Sequence, residues 1–68
     1  MTIILFPDRM QIRAEDRILT EIVRLVDGTP LRWNLISETL VCVAGEKELL
    51  YELLAILTRK FLVTIELI

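Results

Sequence analysis

Residues 31–44 have the sequence LRWNLISETLVCVA, in which two strand-like runs flank a short polar turn. In the first run, around Trp33, apolar residues fall on alternate positions, which is typical of a strand buried on one face. The second run, Leu40–Ala44, is apolar throughout, as a strand buried on both faces is. Between them, Ser37–Thr39 has the composition of a turn, so the segment predicts a β-hairpin.

An amphipathic helix is predicted on each side of this hairpin. The first covers Ala14–Asp27, where apolar residues recur at helical spacing, and Gly28 suits the left-handed position that commonly ends a helix. The second covers Glu46–Lys60, with acidic residues in its first turn and basic residues in its last, as the helix dipole favours. Gly45 is the expected N-cap of this second helix.

Two further apolar runs, Thr2–Phe6 and Phe61–Ile68, lie outside the helices. Pro7 is expected to end the first, because proline has no backbone N–H for a strand ladder. The order strand, helix, strand, strand, helix, strand predicts an α+β, ferredoxin-like βαββαβ fold. In this two-layer sandwich, four antiparallel strands form one sheet with both helices on one face. Thr2–Phe6 and Leu40–Ala44 are its expected central strands.

A second interpretation concerns Met10–Arg13, whose side chains also alternate between apolar and polar. These residues could pair back onto Thr2–Phe6 across a turn at Pro7–Arg9, which would give the order ββαββαβ. In the preferred four-stranded order, Pro7–Arg13 is instead the longest irregular stretch of the chain.

The length of 68 residues predicts a single domain, residues 1–68. A chain of this size buries only about 60% of its unfolded surface, so its stability is marginal without a supplement. Cys42 is the only cysteine, which excludes a disulfide within the chain, and the lack of histidine disfavours a structural zinc site. Association with another chain remains, and 54% hydrophobic residues with a mean hydropathy of +0.59 favour it.

Charge and hydropathy also bear on partners and compartment. The formal net charge is −2 and the pI about 5.0, whereas nucleic-acid-binding proteins usually carry a basic patch, so no nucleic-acid partner is predicted. No apolar run approaches the roughly 18–20 residues of a membrane helix, so no membrane partner is predicted. The first eight residues lack the features of a signal peptide, which together with the lone cysteine predicts a cytoplasmic location.

No catalytic motif is found, so the chain is predicted not to be an enzyme and to need no cofactor or metal. Cys42 has no histidine to act as a base, and in a central strand it packs as a small hydrophobe. Glu15 and Glu46 lie at predicted helix N-termini, where the helix dipole explains their charge.

Three arginines are candidate contacts for an anion or an acidic partner, because arginine forms bidentate contacts with phosphate and carboxylate groups. With a helix beginning near residue 13, Arg13 and Arg17 fall along one side and Arg9 lies in the preceding loop. The competing interpretation is a solvated helix face, in which Arg17 and Glu21 form an ordinary i, i+4 pair.

The uncovered face of the sheet is the predicted interaction surface. If Trp33 and Ile65 face the helices, the opposite face is expected to present a large apolar patch with a polar edge, which commonly marks an interface. The free edge of Phe61–Ile68 is the alternative route, since no proline blocks it. The residues predicted to contact a partner are Arg32, Ile36, Leu62, Thr64, Glu66 and Ile68.

These observations predict a small non-enzymatic interaction module. It either forms homo-oligomers, most simply a homodimer, or docks on a larger protein through its apolar sheet face or its edge strand. The alternative is a small-ligand-binding regulatory domain with its site at a dimer interface, which rests on the fold alone.

Overall fold

Two helices and five strands follow one another in the order ββαββαβ in the computed structural model, which describes residues 1–68. The strands are β1 (Thr2–Leu5), β2 (Met10–Arg13), β3 (Arg32–Ile36), β4 (Thr39–Val43) and β5 (Thr64–Leu67). The helices are α1 (Asp16–Val26) and α2 (Lys47–Lys60). The predicted α+β class with two helices is confirmed.

All five strands belong to one mixed sheet, with the order β3-β4-β2-β1-β5. The pairs β1–β2, β2–β4 and β3–β4 are antiparallel, whereas β1 and β5 are parallel. The predicted four-stranded, fully antiparallel, ferredoxin-like sheet therefore needs correction in strand number, in neighbours and in the direction of one pair. β3 and β5 form the two edges, as the alternation in their sequences indicated.

The correction comes from Met10–Arg13, which forms β2 and pairs with β1 across a tight turn. In that turn the N–H of Phe6 donates to the carbonyl oxygen of Arg9 at 2.9 Å. β2 lies between β1 and β4, which had been expected to be neighbours. It also adds one reversal of the chain before α1, so β5 runs parallel to β1 instead of antiparallel to it.

The helices pack on the inner face of the sheet, and the pairing registers define this face. Cross-strand partners share a face, so the registers place the inner side chains in two rows. The rows are Ile65–Ile3–Ile12–Leu40–Leu35 and Leu67–Leu5–Met10–Cys42–Trp33. The helices contribute Leu19, Ile22, Val26, Leu50, Leu53 and Leu57 to the same apolar core.

The ends of the elements differ slightly from expectation. α1 begins at Asp16, because the preceding residues belong to β2 and its connection. Gly28 has φ = +84°, which confirms the left-handed residue after α1. The N-cap of α2 is Glu46 rather than Gly45. The turn between β3 and β4 contains only residues 37 and 38, with Ser37 at φ = +56°.

Candidate interaction surface

The outer face of the sheet, away from the helices, is mostly polar. Its cross-strand rows are Thr64–Thr2–Arg13–Thr39–Ile36 and Glu66–Ile4–Gln11–Val41–Asn34. Only Ile4, Val41 and Ile36 in these rows are apolar. β2 places Gln11 and Arg13 in the middle of the face, and these side chains interrupt the large apolar patch that a four-stranded sheet would have presented.

The six residues predicted to contact a partner divide between the two edges of the sheet. Arg32 and Ile36 lie on β3, whereas Thr64 and Glu66 lie on β5. The two edge strands are separated by four strand spacings, which is a distance of about 19 Å. The remaining two residues flank β5 and are highly exposed, Leu62 at 95% and Ile68 at 72%. Their role in binding stays a prediction, but the structure does not bring all six together.

On the β3 side, an open groove runs along the outer face of the β3–β4 hairpin. It is lined by Arg32, Trp33, Asn34, Ile36, Val41 and Val43. Arg32 and Asn34 are its polar lining residues, and the other four are apolar. Trp33 and Leu35 belong to the inner rows of the sheet, yet they are 40% and 41% exposed.

On the β5 side, the strand has a free backbone edge. The N–H of Thr64 donates to the carbonyl oxygen of Met1 at 2.9 Å, and the N–H of Ile68 donates to that of Leu5 at 3.0 Å. In a strand, successive residues direct their backbone groups to opposite sides. The N–H and C=O groups of Val63, Ile65 and Leu67 therefore point away from β1, where no strand accepts or donates a hydrogen bond.

Apolar side chains predominate along this edge, and most of them are exposed. Ile65 and Leu67 belong to the inner rows, but they are 42% and 75% exposed. Glu66 is the only charged residue of β5, and no proline lies in the strand. Natural edge strands are usually protected by charges, proline, bulges or a covering element. The free edge of β5, defined here as residues 62–68, lacks most of these protections.

The exposure of inner-row residues at the edges was missed by sequence reasoning, which took Trp33 and Ile65 to lie on the face covered by the helices. A sheet of five strands is about 24 Å wide, whereas two helices side by side cover roughly 20 Å. The helices bury the centre of the inner face, with Ile3, Ile12 and Leu40 at 0% exposure. The alternation and lack of proline in residues 61–68 were the only available signals of a usable edge.

The three candidate arginines are dispersed. Arg13 is the last residue of β2 and lies in an outer row, whereas Arg17 lies on α1, which packs on the inner face. Arg9 occupies the β1–β2 turn, about 13 Å along the strand from Arg13. There its guanidinium lies 3.8 Å from the ring centroid of Phe6 and is 2.9 Å from Asp8 Oδ1. Their contact with an anion stays a prediction. The expectation that Arg13 and Arg17 lie along one side of a helix is wrong, because Arg13 is in a strand.

Cys42 lies in the centre of the inner face and is fully buried. Burial raises the pKa of its thiol from 9.0 to about 11, because the low-polarity surroundings disfavour the thiolate. No group of three histidine, cysteine, aspartate or glutamate residues is placed to hold a metal ion. Neither helix has the length and apolar character needed to cross a membrane.

The chain matches no protein-family model, no curated protein and no solved structure.

Proposed function

We propose that this chain is a non-enzymatic protein-interaction module that binds an extended strand of another polypeptide along the free edge of β5. The observation that carries the proposal is the combination, on one strand, of outward backbone groups and exposed apolar side chains. A strand added at this edge would satisfy the backbone groups of Val63, Ile65 and Leu67. It would also cover apolar surface that the two helices leave in water.

The size of the core supports the same proposal. Only 12 of the 68 residues are buried, and ten large hydrophobic side chains are exposed. Domains this small have marginal stability by themselves, and association is one of the usual supplements. The chemistry of the chain favours binding over catalysis, since it has no histidine and its one thiol is buried with a raised pKa.

The test is a variant that blocks the edge without touching the sheet. In Ile65→Pro the lost N–H is one that points outward, so no hydrogen bond to β1 is removed, while the ring obstructs an incoming strand. Glu66→Pro is the contrasting variant, because the N–H of residue 66 points towards β1 and its loss should damage the fold. Circular dichroism and urea unfolding establish which variants remain folded.

Binding is then read out in two ways, as solution mass over a concentration series and as selection of peptides from a random heptapeptide phage library. We expect the wild-type chain to self-associate or to select peptides of alternating apolar character. Folded Ile65→Pro should lose whichever binding is seen. If the wild-type chain does neither, or if folded Ile65→Pro binds as well as wild type, the proposed function is wrong.

A further inference from the structure

We infer that the strand bound at the free edge of β5 is β5 of a second copy of this chain, antiparallel, with Ile65 opposite the partner's Ile65 on a two-fold axis. This inference rests on the proposed function and goes beyond it by naming both the partner and the register. Three properties of β5 carry it: its backbone pattern, its side-chain pattern and its contrast with β3.

The backbone pattern is self-complementary in this register. With Ile65 on the axis, Val63 lies opposite the partner's Leu67, and Leu67 lies opposite the partner's Val63. In an antiparallel ladder, alternate pairs of opposed residues exchange two hydrogen bonds each. The three pairs in this register consist of the residues whose N–H and C=O groups point away from β1. Every outward backbone group of the strand then has a partner.

The side chains also match in this register. On the outer face, Thr64 lies opposite the partner's Glu66, so the one charge of the strand meets a hydroxyl group. Leu62 lies opposite the partner's Ile68, so two of the most exposed apolar side chains cover each other. On the inner face, Val63, Ile65 and Leu67 meet only apolar partners.

Neighbouring two-fold registers are poorer. A register centred on Glu66 opposes two carboxylates, which is destabilising for a directly opposed pair. A register centred on Leu67 sets Glu66 against the partner's Ile68, and one centred on Thr64 sets Glu66 against the partner's Leu62. Centring on Val63 would place Leu67 opposite the partner's Arg59, which is part of α2 and has no strand edge to offer.

The β3 edge is less self-complementary when it is paired about its middle residue, and the first experiment below compares the two edges directly. A two-fold axis at Asn34, the middle residue of β3, would set Arg32 against the partner's Ile36. Charge would then meet an apolar side chain at both ends of the pairing. Pairing through β5 avoids this, and it joins the two sheets into one continuous ten-stranded sheet with all four helices on one side.

The first experiment compares two matched substitutions by light scattering after gel filtration. Ile65→Lys and Leu35→Lys change residues at opposite ends of the same inner row, which are 42% and 41% exposed. The wild-type chain and Leu35→Lys should have the mass of a dimer, and Ile65→Lys should have the mass of a monomer. A monomeric wild-type chain at all concentrations would overturn the inference, as would a dimer that only Leu35→Lys disrupts.

The second experiment tests the register by oxidation of single-cysteine variants in a Cys42→Ala background. The two copies of residue 65 would have Cα atoms about 5.5 Å apart, within the range of a disulfide. The two copies of residue 67 would be offset by about 13 Å along the strands. Ile65→Cys should therefore form a linked dimer, and Leu67→Cys should not. The reverse result would show a different register and overturn this one.

These outcomes separate the inference from the proposed function. If the wild-type chain is monomeric but selects peptides that Ile65→Pro loses, the edge binds foreign strands. The proposed function then holds and the homodimer does not.

Discussion

The position of an apolar residue within a cross-strand row decides whether it supports the fold or remains available for association. Ile3 and Ile65 are direct neighbours in one inner row, yet Ile3 is fully buried and Ile65 is 42% exposed. The two side chains have the same chemistry, and their difference arises from the limit of helix coverage. Removal of a buried side chain should therefore lower the free energy of unfolding far more than removal of an edge side chain does.

Ile22 of α1 is fully buried, whereas Leu62 is 95% exposed. We expect Ile22→Ala to lower the free energy of unfolding by about 2–5 kcal/mol through lost apolar contacts and a residual cavity. Leu62→Ala removes a similar volume and should change it by less than about 0.5 kcal/mol in monomeric protein. Urea unfolding of both variants in the Ile65→Lys background, which keeps the chain monomeric, provides the comparison. Equal losses in the two variants would contradict the assignment of the core.

Cys42 gives a pH-dependent prediction. The pKa of its thiol is about 11 in the folded protein and 9.0 for a free thiol, so between these pH values the folded chain retains a proton that the unfolded chain loses. The contribution of the protonated Cys42 thiol to the stability of the fold is thus complete below pH 9, and it decreases as the pH rises towards 11. Over this range the free energy of unfolding of the wild-type chain should fall by about 2–3 kcal/mol more than that of Cys42→Ala. Urea unfolding at pH 8 and pH 11 measures this, and identical losses would show that the thiol is not desolvated.

At the scale of helices, strands and turns, short connections determine the topology. The turn after β1 is closed by the hydrogen bond from Phe6 to Arg9, and it returns the chain to β1 instead of sending it directly into α1. After α1, the chain turns again at Gly28. Each connection depends on a few backbone angles, so substitutions there test the turns separately from the core.

Gly28 and Gly45 form a matched pair for such a test. A Cβ atom at either position would meet no atom within 4 Å, so steric contact does not distinguish them. Gly28 has φ = +84°, where an L side chain is strained by about 1–2 kcal/mol, whereas Gly45 has no positive φ. Gly28→Ala should therefore destabilise the chain by about that amount. Gly45→Ala should be neutral or stabilise it by up to about 1 kcal/mol, because it restricts the unfolded chain. Destabilisation of both to the same extent, in urea unfolding, would contradict this reason.

For the whole molecule, the balance between buried and exposed apolar surface links stability to association. The core contains 12 residues, while exposed hydrophobic side chains lie along both edges of the sheet, four of them within residues 62–68. A dimer that binds only the folded chain stabilises it by mass action, so stability should depend on protein concentration. This coupling is a property of the complete sheet, since β5 presents its edge only when paired with β1.

The thermal midpoint of the wild-type chain should therefore rise as its concentration is increased over two orders of magnitude, whereas that of Ile65→Lys should stay constant. Scanning calorimetry or circular dichroism provides the midpoints, and Leu35→Lys is the control that should retain the concentration dependence. A wild-type midpoint that is independent of concentration would argue against a folding-linked dimer.

The sequence by itself determined the α+β class, both helices, the β3–β4 hairpin and the left-handed Gly28, because these features arise from periodicity and turn chemistry within a few neighbouring residues. Only the tertiary structure decided between the two interpretations of Met10–Arg13. A run of four residues carries little periodic signal, and its state depends on strands that are distant in sequence.

The direction of β5 and the polar centre of the outer face then followed from β2. The exposure of Ile65 and Leu67 likewise depended on how far two helices extend across five strands, which no local pattern encodes. The candidate site was therefore only partly predictable: residues 61–68 were expected to form an edge, but its outward backbone groups became identifiable only once its pairing with β1 was known.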